Sequence, residues 1–476
     1  MNRAMLRAEG LLCAALALPD HPQAAQWRKS AGVLASDSWG KWEEEDAQIY
    51  HPVWLYSLMS YAEALGNDSI HEMPTGRYYF AYFLQLLSPA GMVPDFGDAR
   101  WNDSWMRYLV CFEKAASVYR KPEYKWAAER IYEKIVRLRT SNLDAGLGLI
   151  FSDCFRWADD KIQPKAPNAL SEEMLEEEKM HHGHSDENAI ILLMNGGSVL
   201  LHDAGYRTAI PSGPYGAFRA DYYHNRLVAR KNKLWYEQSL LEFLRNSGAY
   251  RKAATQKIDF FKFTDCEMSR TRMRDASLGY EWDQVTVYLK RSDAFVVFDI
   301  VKILESDYYT FANLWHGQKI WEQGDHYYVV ANDFIESWEL SKEKALLVYF
   351  PEQGIRKDST FSLERHSQEE TTAYQSISSH YHAGDIETFT TVLIPDNFDS
   401  GRVKFGPVET DASFFYGKLQ GESLSYSAAN MVKIIYKDKV IFEGRLSSAF
   451  TCQPDDLSAK SGIAKWRYWE DKILVK

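Results

Sequence analysis

Apolar positions in the first third of the chain recur at the three- and four-residue spacing that is typical of α-helices. Such runs cover residues 53–62, 78–87, 106–119 and 126–138. The first run ends just before Gly66, and a glycine after the last apolar position commonly ends a helix. Successive helices joined by Gly/Pro turns predict a layer of helical hairpins.

The pattern changes to short apolar runs after about residue 186. Residues 190–194 and 198–201 flank Asn195-Gly196-Gly197, which predicts a β-hairpin. Residues 285–289 and 294–298 predict a second hairpin, and similar runs continue toward the C-terminus. We therefore expect an α+β protein with a helical domain over residues 1–180 and an antiparallel β-sandwich over residues 181–476. A length of 476 residues also favours two domains.

Composition narrows the class of protein. Apolar residues make up 46% and charged residues 25%, which is typical of a globular protein. The net charge of −11 argues against general nucleic-acid binding, which needs a basic surface, but permits a local basic cleft. No apolar run is long enough to span a membrane. The five cysteines lack a CxxC pair and predict neither a disulfide framework nor a thiolate metal site.

The N-terminal segment permits two interpretations. Residues 11–18 are apolar and follow Arg3 and Arg7, as the core of a secretory signal would. However, Glu9 interrupts the entry to this run, and Pro19-Asp20 stands where a signal needs small residues. An amphipathic helix is the favoured interpretation.

Three polar segments follow one another at the junction of the two patterns. The first is His182-Gly183-His184-Ser185-Asp186, and Asp203 and His224 come after it on the predicted hairpins. Two imidazoles and one carboxylate (His184, Asp203 and His224) suit zinc and leave a fourth position open. Isolated histidines are more often core or surface residues, so spacing alone leaves both interpretations open.

Basic residues surround the last of these segments. Arg219 precedes it, and Arg226, Arg230, Lys231 and Lys233 follow. This local excess favours either recruitment of a polyanion or a β edge guarded by charge. In the helical half, His51 stands where a helix begins, and Trp101 lies in a polar loop where its flat face could stack on a sugar ring.

Together, these segments resemble the heparinase II/III-like polysaccharide lyases. The likeness rests on three motifs in order, which are HGHSD at 182–186, LHDAG at 201–205 and RADYYHN at 219–225. The resemblance implies an (α/α) toroid followed by an antiparallel β-sandwich, a periplasmic or secreted location, and a divalent metal, for which Zn²⁺ is the expected ion. It assigns the metal to His184, Asp203 and His224, places His182 in the catalytic cleft, and maps the helical-domain histidine onto His51.

Three departures from the family pattern matter. Tyr50 stands where the family has the asparagine that neutralises the substrate carboxylate, and Gln48 is the available substitute. Trp101 and Asn102 stand near the place of the family's helical-domain tyrosine. The helical part before His182 is much shorter than the usual toroid, so we expect either a partial toroid or a missing N-terminal portion.

The implied activity is β-elimination from a uronic-acid-containing polysaccharide. Histidine and tyrosine suit an anionic substrate better than a carboxylate base, which the substrate would repel. We expect His51 as base or neutraliser with His182 beside it, Tyr215 or Tyr223 as acid or base, and a mainly structural metal. The predicted substrate contacts are Gln48, Trp101, Asn102, Arg207 and Arg219.

Two alternatives remain open. A glycoside hydrolase on a helical toroid would need two carboxylates across the cleft, and Asp46 with Asp95 or Asp98 are the candidates. A non-catalytic glycan-binding protein would fit the departures at Tyr50 and Trp101. The sequence predicts no oligomeric state.

Overall fold

The computed structural model describes most of the chain in separate stretches. These are residues 2–36, 38–40, 49–88, 91, 93–94, 105–138, 156–166, 185–203, 219–247, 253–262, 266–331, 344–351, 355–365, 368–397, 408–412, 431–436 and 439–445.

Seven of the eight α-helices in these stretches precede the first strand. The helices are α1 (Asn2–Ala17), α2 (Ala24–Ser36), α3 (Tyr50–Leu65), α4 (Ser69–Glu72), α5 (Pro74–Leu86), α6 (Trp105–Tyr119), α7 (Pro122–Leu138) and α8 (Leu240–Ser247). The four helical runs predicted in the sequence correspond to α3, α5, α6 and α7, and a shared apolar core joins α1, α3, α5, α6 and α7. No helix in the described stretches is long and apolar enough to cross a membrane.

The N-terminal helix α1 is amphipathic, as predicted. Its buried residues are Met5, Ala8, Leu12 and Ala15. Spacings of three and four residues place these side chains on one face of the helix. Three of the four belong to the helical core. The apolar run at the N-terminus is therefore part of the folded helical layer.

The described strands form four antiparallel sheets. The strands are β1 (Leu192–Asn195), β2 (Ser198–His202), β3 (Leu227–Arg230), β4 (Ala254–Lys262), β5 (Cys266–Asp275), β6 (Tyr280–Leu289), β7 (Ala294–Ile303), β8 (Asp307–Gly317), β9 (Lys319–Gly324), β10 (Tyr327–Ala331), β11 (Lys344–Tyr349), β12 (Lys357–Arg365), β13 (Gln368–Tyr381), β14 (Ile386–Asn397), β15 (Val408–Ala412), β16 (Met431–Tyr436) and β17 (Lys439–Arg445). Their orders are β1-β2, β4-β5-β6-β7-β14-β11-β10-β9, β12-β13-β8-β3 and β15-β16-β17.

The two largest sheets pack against each other. One buried cluster combines Leu227 and Phe311 of the four-stranded sheet with Trp282 and Phe389 of the eight-stranded sheet. Strands with one apolar face bury it most simply against a second sheet. The predicted change from helices to antiparallel strands is confirmed, but the boundary near residue 180 lies outside the described stretches and stays a prediction.

The β1–β2 hairpin links the helical layer to the sheets. Gly196 and Gly197 both have positive φ, at 55° and 82°, which the two central residues of a type I′ turn require. Val199 belongs to the helical core, whereas Leu200 and Leu201 belong to a cluster of the sheets. This predicted hairpin is thus held by both hydrophobic cores, and Asp203 follows directly after it.

Candidate active site

Backbone hydrogen bonds bring the first and third sequence motifs together. The N–H of Ser185, in the first motif, donates to the carbonyl of Arg219, in the third, at 2.9 Å. The N–H of Ile190 donates to the carbonyl of Asn225, also at 2.9 Å. Segments that are far apart in sequence are therefore neighbours, as convergence on one site requires.

The side chain of Asn225 joins the second motif to the third. Its Nδ2 donates to the carbonyl of His202 at 2.9 Å, and its Oδ1 accepts the N–H of His316 at 2.8 Å. Asn225 is fully buried, so these bonds compensate for the loss of water. The asparagine of the third motif thus has a structural role that sequence reasoning did not assign.

Asp203 and His224 form a buried pair. Nδ1 of His224 donates to Oδ2 of Asp203 at 2.9 Å, and both side chains are fully buried. Burial of the imidazole opposes its protonation, but the carboxylates of Asp203 and Asp186 outweigh this effect and raise the pKa of His224 above its usual value. The structure therefore brings together two of the three predicted metal ligands.

His316 supports this pair from the neighbouring strand β8. Its Nε2 donates to the carbonyl of His224 at 3.1 Å, and its Nδ1 accepts the hydroxyl of Thr372 at 2.7 Å. Both side chains are fully buried. The backbone of His224 is thus fixed by a residue whose isolated position in the sequence carried no signal.

Asp186, the last residue of the first motif, adds a second carboxylate. Burial raises its pKa to about 7; the charges of Asp203 and Glu187 add to the shift, while His224 and Arg226 oppose it. Within the described part of the chain, its buried Oδ2 has no hydrogen-bond partner. Asp186 is part of the first sequence motif, but only the fold shows that this residue lies near Asp203 and His224.

The side chains of Asp203, His224 and Asp186 provide part of what a divalent metal site needs. Two donor atoms on one tetrahedral zinc lie roughly 3.3 Å apart at the usual bond lengths. Nδ1 of His224 and Oδ2 of Asp203 are 2.9 Å apart and share a hydrogen bond, so a metal that binds both atoms would have to displace the proton between them. The unpartnered oxygen of Asp186 is a further donor near this pair, and its raised pKa means that a metal binding there would have to displace a proton. The described residues alone contain no group of three or more His, Cys, Asp or Glu side chains placed to hold a metal. The third predicted ligand, His184, lies outside them.

Arg226 holds the first motif in place through hydrogen bonds and an ion pair. Its Nη1 donates to the carbonyl of Ser185 and to Oε2 of Glu187, both at 2.6 Å. The guanidinium carbon lies 5.2 Å from the ring centroid of Trp282. Arg226 and Arg230 are buried, at 3% and 1% exposure. These two members of the basic run are therefore structural and cannot recruit a polyanion at the surface.

Tyr223 lies on a short 3₁₀ turn, Asp221–Tyr223, just before His224. Its ring centroid is 4.6 Å from that of Tyr222. Burial, together with the charge and hydrogen bond of Tyr223, raises the pKa of Tyr222. Arg230 holds the turn through two hydrogen bonds to Asp221, at 2.6 and 2.8 Å. The catalytic role of Tyr223 stays a prediction.

His51 lies in the helical core. It is 1% exposed, and its Nε2 donates to the carbonyl of Tyr79 at 3.0 Å. Its ring packs against Trp54, Tyr82 and Phe83. In this geometry His51 offers almost no surface to a substrate, so its predicted direct role would require a rearrangement of this core.

Several predicted site residues lie outside the described stretches. They are His182, His184, Tyr215, Gln48, Trp101, Asn102 and Arg207, together with the hydrolase candidates Asp46, Asp95 and Asp98. Their roles stay predictions. Arg219 lies within the described residues beside the first motif, and its contact with substrate also stays a prediction.

The fold is that of a helical layer followed by large antiparallel sheets, and it is shared with solved polysaccharide lyases. A heparan sulfate lyase from Pedobacter heparinus aligns at a TM-score of 0.55 and 11% identity, covering 92% of this chain and 65% of the lyase. A heparinase III aligns at 0.57 and 14%, covering 91% and 65%, and another heparinase III aligns at 0.57 and 12%, covering 91% and 64%.

These similarities confirm the expected resemblance at the level of fold. No protein-family model matches the sequence, and no curated protein does. The chain spans slightly less than two thirds of the length of these lyases.

Proposed function

We propose that this protein is a polysaccharide lyase that cleaves a uronic-acid-containing polysaccharide by β-elimination. The observation that carries the proposal is the junction of the three motifs around the buried Asp203–His224 pair. The fold adds support, because the solved structures that share it are named heparan sulfate lyase and heparinase III. We further propose that the helical layer is a partial (α/α) toroid and that the large sheets form a β-sandwich.

The reaction sets three demands on the site. A base removes the proton from the carbon next to the uronate carboxylate, and a positive or hydrogen-bonding group stabilises the charge that develops there. The bond to the glycosidic oxygen then breaks, an acid protonates that oxygen, and a carbon–carbon double bond forms. Neutral or cationic side chains suit these roles, since an anionic base would repel the substrate.

His182 is the residue that we favour for the proton transfer. It belongs to the motif that Arg226 and the backbone of Arg219 fix at Ser185. His51 is buried against Tyr82 and Phe83, and this favours His182 as the histidine that reaches the substrate. A tyrosine, Tyr215 or Tyr223, would supply the second proton-transfer group.

His184, Asp203 and His224 would hold a divalent metal, and we propose Zn²⁺ as the ion. When bound, it would fix the hairpins that carry His182 and the tyrosines. The Asp203–His224 contact supports this set, because a carboxylate and an imidazole already share one buried position. We propose a structural role for the metal and a periplasmic or secreted location for the protein.

The test is incubation of the protein with heparan sulfate, alginate and other uronate polymers, followed by absorbance of the unsaturated product in the ultraviolet. His182→Ala should abolish the signal, whereas His326→Ala, at a partly exposed position bonded to Asp358, should retain it. Circular dichroism checks that both variants fold.

Three results would contradict the proposal. Folded, metal-loaded protein that gives no ultraviolet signal on any uronate polymer is not this lyase. Saturated reducing sugars that form without the ultraviolet signal, disappear in Asp95→Asn and persist in His182→Ala would instead identify a glycoside hydrolase. Binding of polysaccharide without any product would identify a glycan-binding protein.

A further inference from the structure

Exposed aromatic rings cluster on the four-stranded sheet, away from the candidate active site. Trp235 is 66% exposed, Tyr236 89% and Tyr308 40%. Large apolar groups that stay exposed together usually mark a surface for a ligand or partner. We name these three rings, with Lys233, Lys357 and His380, the Trp235 patch.

The fold holds the loop that carries this patch. The N–H of Leu234 donates to hydroxyls of both β8 and β13, at 3.2 Å to Thr310 and 3.1 Å to Ser378. The hydroxyl of Thr310 in turn donates to the carbonyl of Asn232 at 2.8 Å. The loop after β3 is thus fixed to the sheet on both sides of Lys233, and ligand binding there needs little ordering of the backbone.

Two lysines give the patch its charge. Nζ of Lys233 lies 4.9 Å from the ring centroid of Trp235 and 5.5 Å from that of Tyr308. Nζ of Lys357 lies 4.6 Å from the ring centroid of Tyr236. Among the salt bridges between described residues, neither lysine has a carboxylate partner, whereas Lys231 binds Glu305.

A ligand for this patch should therefore be anionic and should carry flat apolar faces. Rings that stay largely exposed can stack against pyranose faces, and lysines without a carboxylate partner can bind carboxylate or sulfate groups. The whole chain has a net charge of −11, so an acidic ligand would meet repulsion elsewhere and attraction here.

The patch shares a sheet face with the candidate active site. Tyr308 and His316 are eight residues apart on β8, and an even separation places both side chains on the same face. At about 3.3 Å per residue they are roughly 26 Å apart. His316 donates to the carbonyl of His224. His380 of β13 pairs directly with Tyr308, so it extends the patch on this face.

We propose that the Trp235 patch is an accessory binding site for an anionic polysaccharide. Sugar rings stack on Trp235 and Tyr236, while Lys233 and Lys357 bind acidic substituents. Retention of the polymer there raises its local concentration at the candidate active site, roughly 26 Å along the sheet. The inference rests on the proposed function only for the identity of the polymer that both sites share.

The experiment measures binding and cleavage separately. Affinity electrophoresis in native gels that contain heparan sulfate or alginate gives the dissociation constant, with dextran gels as the neutral control. We expect Trp235→Ala/Tyr236→Ala to bind about tenfold more weakly, a loss of about 1.4 kcal/mol, because the double variant removes both stacking faces. Lys233→Gln/Lys357→Gln should weaken binding and reduce its dependence on salt.

The chain offers a matched control on the eight-stranded sheet. Nζ of Lys319 lies 4.0 Å from the ring centroid of Trp321, which is 38% exposed. The double variant Lys319→Gln/Trp321→Ala removes the same chemistry from another surface. It should bind both anionic polymers as the wild type does.

The outcomes separate this inference from the proposed lyase activity. Weaker binding by the patch variants, with unchanged turnover of short oligosaccharides, supports the accessory site. The same loss of binding in a protein that gives no ultraviolet product still supports it, although the lyase proposal then fails. Wild-type affinity in both patch variants overturns it. A wild-type dimer in sedimentation velocity that the patch variants abolish also overturns it, because a second copy would then cover the patch.

Discussion

Replacement of Arg226 by alanine tests how the first motif is held. Arg226 is 3% exposed, and its Nη1 binds both the carbonyl of Ser185 and the carboxylate of Glu187 at 2.6 Å. The guanidinium also lies against Trp282. Alanine removes all of these contacts and leaves the carboxylate of Glu187 buried without its cation.

The expected cost is large, because an unpaired buried charge is the dominant effect. Removing one partner of a buried ion pair typically costs about 3–5 kcal/mol, and the whole free energy of unfolding of a domain is only about 5–15 kcal/mol. Most of that cost comes from leaving the buried carboxylate of Glu187 without a cation. The double variant Glu187→Gln/Arg226→Met should therefore recover a substantial part of the lost stability. The double variant keeps roughly the volume of both side chains and buries no charged group.

The assay combines urea unfolding with turnover of a uronate polysaccharide, followed by ultraviolet absorbance of the unsaturated product. Arg226→Ala should also reduce turnover more than its fraction unfolded explains, because Ser185 adjoins the predicted ligand His184. Arg356→Ala is the matched control, since Arg356 binds Glu387 and both side chains are buried, at 1% and 5% exposure. It should lose similar stability but keep the turnover of its folded fraction.

Two results would refute this reasoning. A loss of stability below about 1 kcal/mol in Arg226→Ala would show that the pair is not effectively buried. Equal losses of turnover in Arg226→Ala and Arg356→Ala, after correction for the unfolded fraction, would show that Arg226 does not position the first motif.

Three further predictions concern charge and packing. In metal-free protein, Asp203→Asn should lower the pKa of His224, because the lost carboxylate favours the imidazolium; an unchanged imidazole titration by NMR would contradict this. Burial raises the pKa of Asp299 to about 7, above its unfolded value of about 3.9. Its contribution to stability is therefore present below about pH 4 and lost toward pH 7. The stability of Asp299→Asn relative to wild type should rise over that interval by at most about 4 kcal/mol, and a flat difference in urea unfolding would refute it. Gly76→Ala should destabilise the protein by about 1–3 kcal/mol, since its new Cβ would lie 1.7 Å from a backbone carbonyl oxygen. Gly32→Ala has open space and should leave thermal unfolding unchanged or slightly improved; similar melting temperatures for these two variants would count against the packing argument.

Hydrophobic periodicity predicted much of the fold, because local patterns report local structure. The runs at 53–62 and 285–289 became α3 and β6, and Gly196-Gly197 formed the expected turn. Periodicity does not report which sheets face each other. The pairing of β3 with β8, across more than 70 residues, depends on tertiary contacts that no local window contains.

The candidate site was predictable in its residue types but not in its partners. Asp203 and His224 were expected to converge, and they do. The location of the basic residues that follow His224 could not be predicted, because the sequence shows that a side chain is charged but not whether it is buried. Arg226 and Arg230 were grouped with Lys233 as surface charges, yet both arginines are buried in ion pairs.

The position of the candidate site follows from the β1–β2 hairpin. Val199 packs into the helical core, and Leu200 and Leu201 pack into the sheets, so neither core alone determines where β2 ends. Asp203 follows that strand and binds His224, whose backbone β8 fixes through His316. The Asp203–His224 pair therefore lies where the helical core and the cores of the sheets both constrain it.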